Sequence, residues 1–285
     1  MVTRLILLLI AGLSSLLAAA PAHAWWEYGH ETVATIALHE VNPKARAEIK
    51  ALLAKSALLE TPTCPARTIE QASVWADCIK PMKDRFSYIY SWHYQNMDVC
   101  KPFDLKAACP DGNCVARQIE RNARLLKDRS QPVRVRVEAL ALLVHFMGDL
   151  AQPLHAGDRH DRGGNDTKAN YGALKNTNIH SIWDGLLADR AISTPVGGPM
   201  GILAEVPAAD RPAMVQGSVE DWSRESWQVA HDAYGALLGG DGCGPAPAEK
   251  PTLTNEKIQA LIPVLRLQVA RGGIRLARLL NEALS

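Results

Sequence analysis

The chain has 285 residues, and its 31 lysine and arginine residues almost balance its 30 aspartate and glutamate residues, for a formal net charge of +1. A nearly neutral chain lacks the broad basic surface that captures nucleic acid or an anionic membrane by charge alone. Positive potential for a polyanionic substrate would therefore have to come from a source other than a lysine patch.

The N-terminal segment has the three parts of a secretory signal. Arg4 supplies the positive start, residues 5–17 the apolar stretch, and residues 22–24 the small-x-small cleavage motif Ala-His-Ala. An uncleaved membrane anchor is the alternative, but the apolar run is short for a span of about 20 residues, and no later segment reaches that length. We therefore expect residues 1–24 to be a signal peptide. The mature chain would begin at Trp25, be exported to a periplasm or the medium, and have no membrane anchor.

Helical periodicity dominates the mature chain. Residues 30–41 carry one apolar stripe, and residues 43–59 carry another that includes Ala47, Leu52 and Leu53. Strand-like alternation is scarce, and no stretch has the composition of a linker. The pattern predicts an all-α fold, with one mostly helical domain.

Residues 130–152 predict the central helix of this domain. Ser130 is the expected N-cap, the positions through Leu143 are apolar on most sides, and Pro153 ends the helix. Residues 219–238 and 258–284 predict two more long helices. Such an apolar central helix must be covered by the other helices.

Six cysteines follow the expected cleavage point. An even number in an exported chain favours disulfides over thiol chemistry, although the sequence leaves most of the pairing open. Cys109 and Cys114 would close a small loop around "PDGN". Zinc–thiolate ligation is the alternative, but no CxxC pair is present. The cysteines are Cys64, Cys78, Cys100, Cys109, Cys114 and Cys243.

His145 and Asp149 interrupt the most apolar predicted helix. Their spacing of four places both side chains on one helix face. An unpaired buried carboxylate there would cost several kcal/mol, roughly, and the stretch "ALLVHFMGDLAQPLH" contains no lysine or arginine to neutralise it. A bound metal is therefore a better explanation than a structural salt bridge. His180 and Asp184 of "IHSIWD" repeat the same spacing, and His155 follows the break at Pro153.

Other candidate ligands and charged residues lie in short motifs elsewhere. Imidazole and carboxylate ligands without thiolate suit zinc. Five histidines and three aspartates exceed what one tetrahedral ion can take, so their convergence would create a multinuclear site. These further candidates are His30 of "WWEYGH", Asp77 and Lys80 of "SVWADCIK", and His93, Asp98 and Lys101 of "SWHYQNMDVCK".

Together these motifs resemble the S1/P1 nuclease family, exported zinc enzymes that cut single-stranded nucleic acid. The resemblance runs from Trp25 nearly to the C-terminus and rests on "WWEYGH", "WAD", "WHY", "HFMGDLAQPLH", "GGN" and "HSIWD". It implies a helical nuclease domain of the phospholipase C/P1 nuclease type over residues 25–285. The enzyme would hydrolyse phosphodiester bonds of single-stranded DNA and RNA to 5′-phosphate products. The sequence leaves 3′-nucleotidase activity open and implies no protein partner.

The resemblance also implies three zinc ions. Trp25 would contribute its α-amine and carbonyl oxygen, a chelate available only at a free chain terminus, so signal removal would complete the site. Three divalent ions less three ionised aspartates would leave positive charge in the cleft of a neutral chain. Carried over residue by residue, the first ion would bind Asp77, His93 and His145, the second His30 and Trp25, and the third His155, His180 and Asp184, with Asp149 bridging the first two.

Substrate roles follow from the same resemblance. Lys80 would hold a phosphate oxygen, and Tyr94 would stack against a base, which favours single strands because a base in a duplex does not present its face. For each lysine the alternative is a solvated surface residue. The remaining assignments place Asp98 and Lys101 beside the scissile group and Asp111 and Asn113 near a base.

Two positions near the expected ligands stand apart from the pattern. Gly185 occupies the place where some family members have a base-contacting asparagine, which leaves base preference open. Trp26 lies outside the ligand pattern, and a hydrophobic staple is the simplest expectation for it. The resemblance also implies the disulfides Cys109–Cys114 and Cys100–Cys243, which leaves Cys64 and Cys78 to pair with each other.

Two other functions are considered. A secreted zinc phospholipase C shares the fold and the N-terminal tryptophan ligand, but such enzymes typically end their ligand set with glutamate, where this chain has Asp184. A non-catalytic zinc-binding helical protein would have closed metal sites, whereas catalytic sites keep a position for water. Three adjacent ions that share an aspartate favour the enzyme.

Overall fold

The computed structural model describes residues 25–245 and 249–285, so the expected signal peptide at 1–24 lies outside the described residues. The predicted, mostly helical fold is confirmed. The helices are α1 (Glu27–Glu40), α2 (Pro43–Leu53), α3 (Ile69–Cys78), α4 (Lys83–Phe86), α5 (Leu105–Ala108), α6 (Val115–Lys127), α7 (Val133–Ala151), α8 (Pro153–Ala156), α9 (Ile179–Ser181), α10 (Leu187–Ser193), α11 (Pro199–Ala204), α12 (Arg211–Met214), α13 (Val219–Leu238) and α14 (Asn255–Leu284).

Short segments join these helices. Parallel β1 and β2 form one ladder, and β4-β3-β5 form a small mixed sheet. The strands are β1 (Met97–Asp98), β2 (Gly157–Asp158), β3 (Lys168–Tyr171), β4 (Leu174–Asn178) and β5 (Thr252–Leu253). The remaining helical turns are 3₁₀ segments at Ser56–Leu59, Lys80–Met82 and Ser87–His93, and a π-helical turn at Ile182–Leu186.

The centre of the fold is α7, as predicted from its apolar sequence. Every residue from 139 to 151 is buried, and the helix packs against α1, α3, α6 and α14. His145 and Asp149 therefore lie in the core rather than on a surface face. The two polar side chains of "VHFMGD", His145 and Asp149, thus lie where several helices pack together.

The start of α7 differs from the prediction. Pro132 is the N-cap and the helix begins at Val133, so Ser130 does not cap it. The Asp128 carboxylate accepts hydrogen bonds from the Ser130 amide at 2.9 Å and hydroxyl at 2.6 Å, and this local turn uses the side chain expected to cap the helix. The predicted break at Pro153 is confirmed, because α7 ends at Ala151 and a new short helix starts at the proline.

The apolar stripe of α2 is also shifted. Ala47 is exposed, whereas Ala45, Ile49 and Leu52 are buried. Asn42 caps the helix by accepting a hydrogen bond from the Ala45 amide at 2.9 Å, which fixes the register of the first turn. The inward face of α2 therefore passes through positions 45, 49 and 52, and the expected position 47 points outward.

Three disulfides join the cysteines in the expected pairs: Cys64–Cys78, Cys100–Cys243 and Cys109–Cys114. The first lies at the end of α3, directly after Asp77. In the described part of the chain, no helix combines the length and apolar character needed to cross a membrane.

Candidate metal centre and nuclease active site

Asp149 is surrounded by histidines. Its Oδ2 lies 3.0 Å from His93 Nδ1 and 3.1 Å from His145 Nε2. Its Oδ1 lies 3.3 Å from His155 Nδ1 and 3.6 Å from His30 Nε2. Because the carboxylate is fully buried, and its ion-pair partners among the described residues are all histidines, its charge must be balanced by imidazolium or by a bound cation.

Eight predicted ligand side chains meet here in three adjoining groups. They come from α1, α3, the 3₁₀ turn before Tyr94, α7, α8 and the helical turns at 179–186. Such a meeting of separate elements is what a metal centre in a helical core requires. The first group is Asp77, His93 and His145, the second is His30, His145 and Asp149, and the third is His155, His180 and Asp184.

The spacing of the donor atoms fits zinc. His145 Nε2 lies 2.9 Å from His93 Nδ1, and Asp77 Oδ1 lies 3.6 Å from each of these nitrogens. A tetrahedral ion with ligand bonds of about 2.0–2.1 Å holds its ligand atoms roughly 3.3 Å apart. Buried donor atoms without a hydrogen-bond partner include His30 Nε2, Asp149 Oδ1 and His155 Nε2. The residues present therefore fit a group of metal ions.

Backbone carbonyls orient three of the imidazoles. The Nδ1 atoms of His145, His155 and His180 donate to the carbonyls of Ser73, His93 and Gly163 at 2.6, 2.7 and 2.7 Å. A neutral imidazole that donates from Nδ1 keeps the lone pair of Nε2 for a metal. In their neutral forms these histidines therefore present Nε2 to a metal ion.

Burial and neighbouring charges separate the pKa values of these side chains. Burial, reinforced by the His145 ring, lowers the pKa of His30 to about 3. Burial raises the pKa of the Asp149 carboxyl, but the surrounding histidines, led by His145, outweigh it and hold that pKa well below the usual range. Burial also opposes protonation of His155, yet Asp149 raises its pKa to about 9. Asp149 is therefore the fixed negative charge on which the cluster is built.

The first residues of the expected mature chain lie beside these groups. Trp25 is buried, and its indole Nε1 donates to the Gly148 carbonyl at 2.7 Å, one residue before Asp149. The Trp26 amide donates to the Asp184 carbonyl at 3.0 Å. Residues 25 and 26 thus make hydrogen bonds to the backbone beside the second ligand group and within the third.

A cleft of about 240 Å³ opens onto the centre. Lys80 Nζ lies 2.5 Å from Asp77 Oδ1 at its edge, and the ring of Tyr94 is 40% exposed. A cation and an aromatic face are therefore available beside the ligand groups. The cleft is lined by Lys80, Tyr90, His93, Tyr94, Asn96, Leu154, His155, Arg162, Asn165 and His180.

The other predicted substrate residues do not line this cavity. Asp98 Oδ2 lies 3.0 Å from Lys101 Nζ and 3.1 Å from His160 Nε2, on the strand that pairs with β2. In the disulfide-closed loop, Asp111 is exposed, and Asn113 Oδ1 accepts a hydrogen bond from Trp92 Nε1 at 3.0 Å. None of these four residues is among those that line the cleft.

Sequence reasoning missed several residues of the site. Tyr90, Asn96, Arg162 and Asn165 line the cleft, and the buried Gln152 donates from its side chain to Asp184 Oδ1. Gln152 and Asn165 stand inside the motifs "GDLAQPLH" and "GGN", which offered a signal. Tyr90, Asn96 and Arg162 belong to no pattern with a ligand spacing.

A fourth group of potential ligands lies apart from this centre, at His231, Asp241 and Cys243. Cys243 is disulfide-bonded to Cys100, so it supplies no thiolate. The three groups around and beside Asp149 remain the candidate metal centre.

The comparison with known proteins decides the family. The sequence model of the S1/P1 Nuclease family matches residues 25–285. The chain belongs to the S1/P1 nuclease family. It is similar to Endonuclease 2 of Arabidopsis thaliana, with 28% identity over 94% of this chain and 93% of the relative. It is also similar to Nuclease P1 of Penicillium citrinum, with 26% identity over 90% of this chain and 97% of the relative.

Family membership fixes the general chemistry. The chain is a hydrolase that acts on phosphodiester bonds of nucleic acids. The S1/P1 nuclease family is in general zinc-dependent, and the histidine and aspartate groups provide ligands of the expected kind. This result favours the nuclease over the phospholipase C and non-catalytic alternatives.

Proposed function

We propose that this protein is an exported zinc endonuclease that cuts single-stranded DNA and RNA and leaves 5′-phosphate ends. The observation that carries the proposal is the position of Asp149, whose two oxygens face different histidines in the middle of the ligand groups. A shared carboxylate of this kind suits two neighbouring ions better than one isolated structural ion.

In the proposed assignment three zinc ions are bound. Asp149 would bridge the first ion and the second, and the amine of Trp25 would complete the second. Its amine would be free only after removal of residues 1–24. The first ion would be held by Asp77, His93 and His145, the second by His30 and Trp25, and the third by His155, His180 and Asp184.

The chain's own residues would position the substrate. Bound zinc would supply Lewis acidity, which lowers the pKa of a water molecule to about 7 and polarises a phosphoryl oxygen. The Lys80 ammonium, held by Asp77, would contact a phosphate oxygen at the cleft edge. The burial of Asp149 and its histidines keeps bulk water from screening the charges at the centre.

Selectivity for single strands would come from stacking. The exposed ring of Tyr94, directly after His93, would pack against an unpaired base, which contributes about 1–3 kcal/mol. Asp98 and Lys101 would lie beside the scissile group, and Asp111 and Asn113 would contact a base.

The chemistry of the cysteines supports export. Three disulfides persist only in an oxidising compartment. The N-terminal sequence has the parts of a secretory signal. We therefore propose a periplasmic or extracellular enzyme that becomes fully active after it is exported and processed.

The proposal is tested with protein that begins at Trp25. We expect hydrolysis of single-stranded DNA and RNA at rates well above that of duplex DNA, inhibition by a zinc chelator, and products whose 5′ ends carry phosphate. Release of phosphate from a 3′-mononucleotide measures any 3′-nucleotidase activity. Products with 5′-hydroxyl ends, or release of phosphocholine in place of nucleotides, would contradict the proposed function.

A further inference from the structure

Trp26 is unusual among the tryptophans of this protein. Five of the seven tryptophans are buried and Trp227 is half-buried, whereas 44% of the Trp26 side chain is exposed. Leaving so large an aromatic surface in water forgoes the stabilisation that its burial would supply. A side chain exposed in this way, next to an active site, is suited to a ligand.

The structure does not use Trp26 as a hydrophobic staple. It is the N-cap of α1, whereas a staple is formed by the residue before the N-cap. That preceding residue, Trp25, is the one packed against Gly29, where an added Cβ would lie 2.9 Å from the Trp25 ring. The simplest expectation for Trp26 is therefore wrong.

The indole of Trp26 lies against Gly185. A Cβ at position 185 would come within 2.5 Å of three indole atoms, Cδ2, Cε2 and Cζ2, so only glycine leaves room for the ring. The Trp26 amide is also hydrogen-bonded to the Asp184 carbonyl at 3.0 Å. The ring is thus supported from behind by the backbone that carries a ligand of the third group, while much of its surface faces solvent.

We propose that Trp26 is a nucleobase-stacking residue that receives a base of the substrate strand. The inference rests on the proposed action on single strands, whose bases expose flat aromatic faces that stack on tryptophan. Trp26 does not line the cleft that contains Tyr94. The base at Trp26 is therefore a different base from the one at Tyr94, farther along the same strand.

The experiment combines a protein change with a substrate change. The substrate is a single-stranded oligonucleotide with one cleavable linkage, and a single abasic nucleotide is placed at each position in turn. For each position we compare kcat/KM on the intact and the abasic strand. With the native enzyme, removal of the base that stacks on Trp26 lowers kcat/KM about 5- to 150-fold at one position.

In Trp26→Ala, the ratio of kcat/KM on the intact strand to kcat/KM on the abasic strand no longer exceeds one at that position. Trp26→Phe keeps most of the native ratio, because an aromatic ring remains. Tyr88→Ala is the matched control, since Tyr88 is an exposed aromatic residue outside the cleft, and the ratio is unchanged. Zinc content is measured for every variant, so that an effect through the metal centre is recognised.

An equal loss on intact and abasic strands in Trp26→Ala overturns the inference, because the residue then acts only on structure. Loss of zinc in that variant, or an unaltered ratio, overturns it as well. Failure of the proposed function is separate from these results, because the native enzyme would then fail to cleave the intact single strand.

Discussion

Asp149 sets the chemistry at the scale of single residues. Its carboxylate is fully buried and lies within 3.6 Å of four imidazole nitrogens. Replacement by asparagine keeps the shape but removes the charge that the proposed ions share. This replacement therefore distinguishes a metal centre from a polar core that binds no ion.

For Asp149→Asn we expect loss of bound zinc and a fall in hydrolysis larger than the roughly 10- to 100-fold typical of a residue that only orients a ligand. Asp128→Asn, in the turn before α7, is the control and keeps full activity. Zinc analysis, cleavage of single-stranded DNA and circular dichroism measure these effects. A folded Asp149→Asn enzyme that cleaves at the native rate would contradict the account.

The raised pKa of His155 gives a pH-dependent result. In the metal-free protein, burial opposes protonation, but Asp149 raises the pKa to about 9, so His155 is protonated at neutral pH. Zinc must displace this proton, so its apparent affinity for the third group rises with pH until about 9. Competition with a chelator between pH 6 and 10 measures the trend. An affinity that levels off near pH 6.5, the ordinary histidine value, would show that Asp149 does not act on His155.

At the scale of elements, close approach between α1 and α7 positions the second ligand group. A Cβ at Gly148 would collide with His30 Nδ1 and lie within 3.4 Å of two other atoms of that ring. The glycine therefore lets the His30 ring lie over α7, stacked on His145 with ring centroids 4.1 Å apart.

Gly148→Ala is expected to displace His30 and remove one equivalent of zinc, while overpacking lowers the free energy of unfolding by about 1–3 kcal/mol. Gly273→Ala is the matched control, because its Cβ would collide with Ile36 on the same helix α1. It should lose comparable stability in urea unfolding but keep its zinc. Equal zinc contents in the two variants would argue against this role of Gly148.

The same elements show what the sequence could predict. The spacing of His145 and Asp149 on an apolar helix predicted two candidate ligands that lie together in the fold, because a helix places positions four apart on one face. The roles of Ser130 and Ala47 were missed, since a local turn at Asp128 and the Asn42 cap decide them. The position of Arg162 in the cleft was not predicted either, because it depends on the conformation of the loop that carries this residue.

At the scale of the whole molecule, Trp25, α7 and the end of α3 meet at one centre. The Trp25 indole donates a hydrogen bond to the Gly148 carbonyl, so this side chain lies beside Asp149 of the second ligand group. The new N-terminus of the mature chain would thus be part of the active site.

Keeping Ala24 on the mature chain should therefore weaken zinc binding, since an amide nitrogen replaces the terminal amine as the donor. We expect one equivalent of zinc fewer and a fall in cleavage of at least about 10-fold. Protein of the same sequence with one residue added at the C-terminus is the control. Identical zinc contents in the two extended proteins would exclude Trp25 as a ligand.

The central claim, that grouped zinc ions around Asp149 perform the hydrolysis, is tested most directly by counting zinc in the protein that begins at Trp25 while its cleavage of single-stranded DNA is followed. The account predicts three equivalents per chain, with cleavage lost as a chelator removes them and restored when zinc is returned. Full cleavage by protein free of zinc, or no cleavage by protein that holds three equivalents, would contradict it.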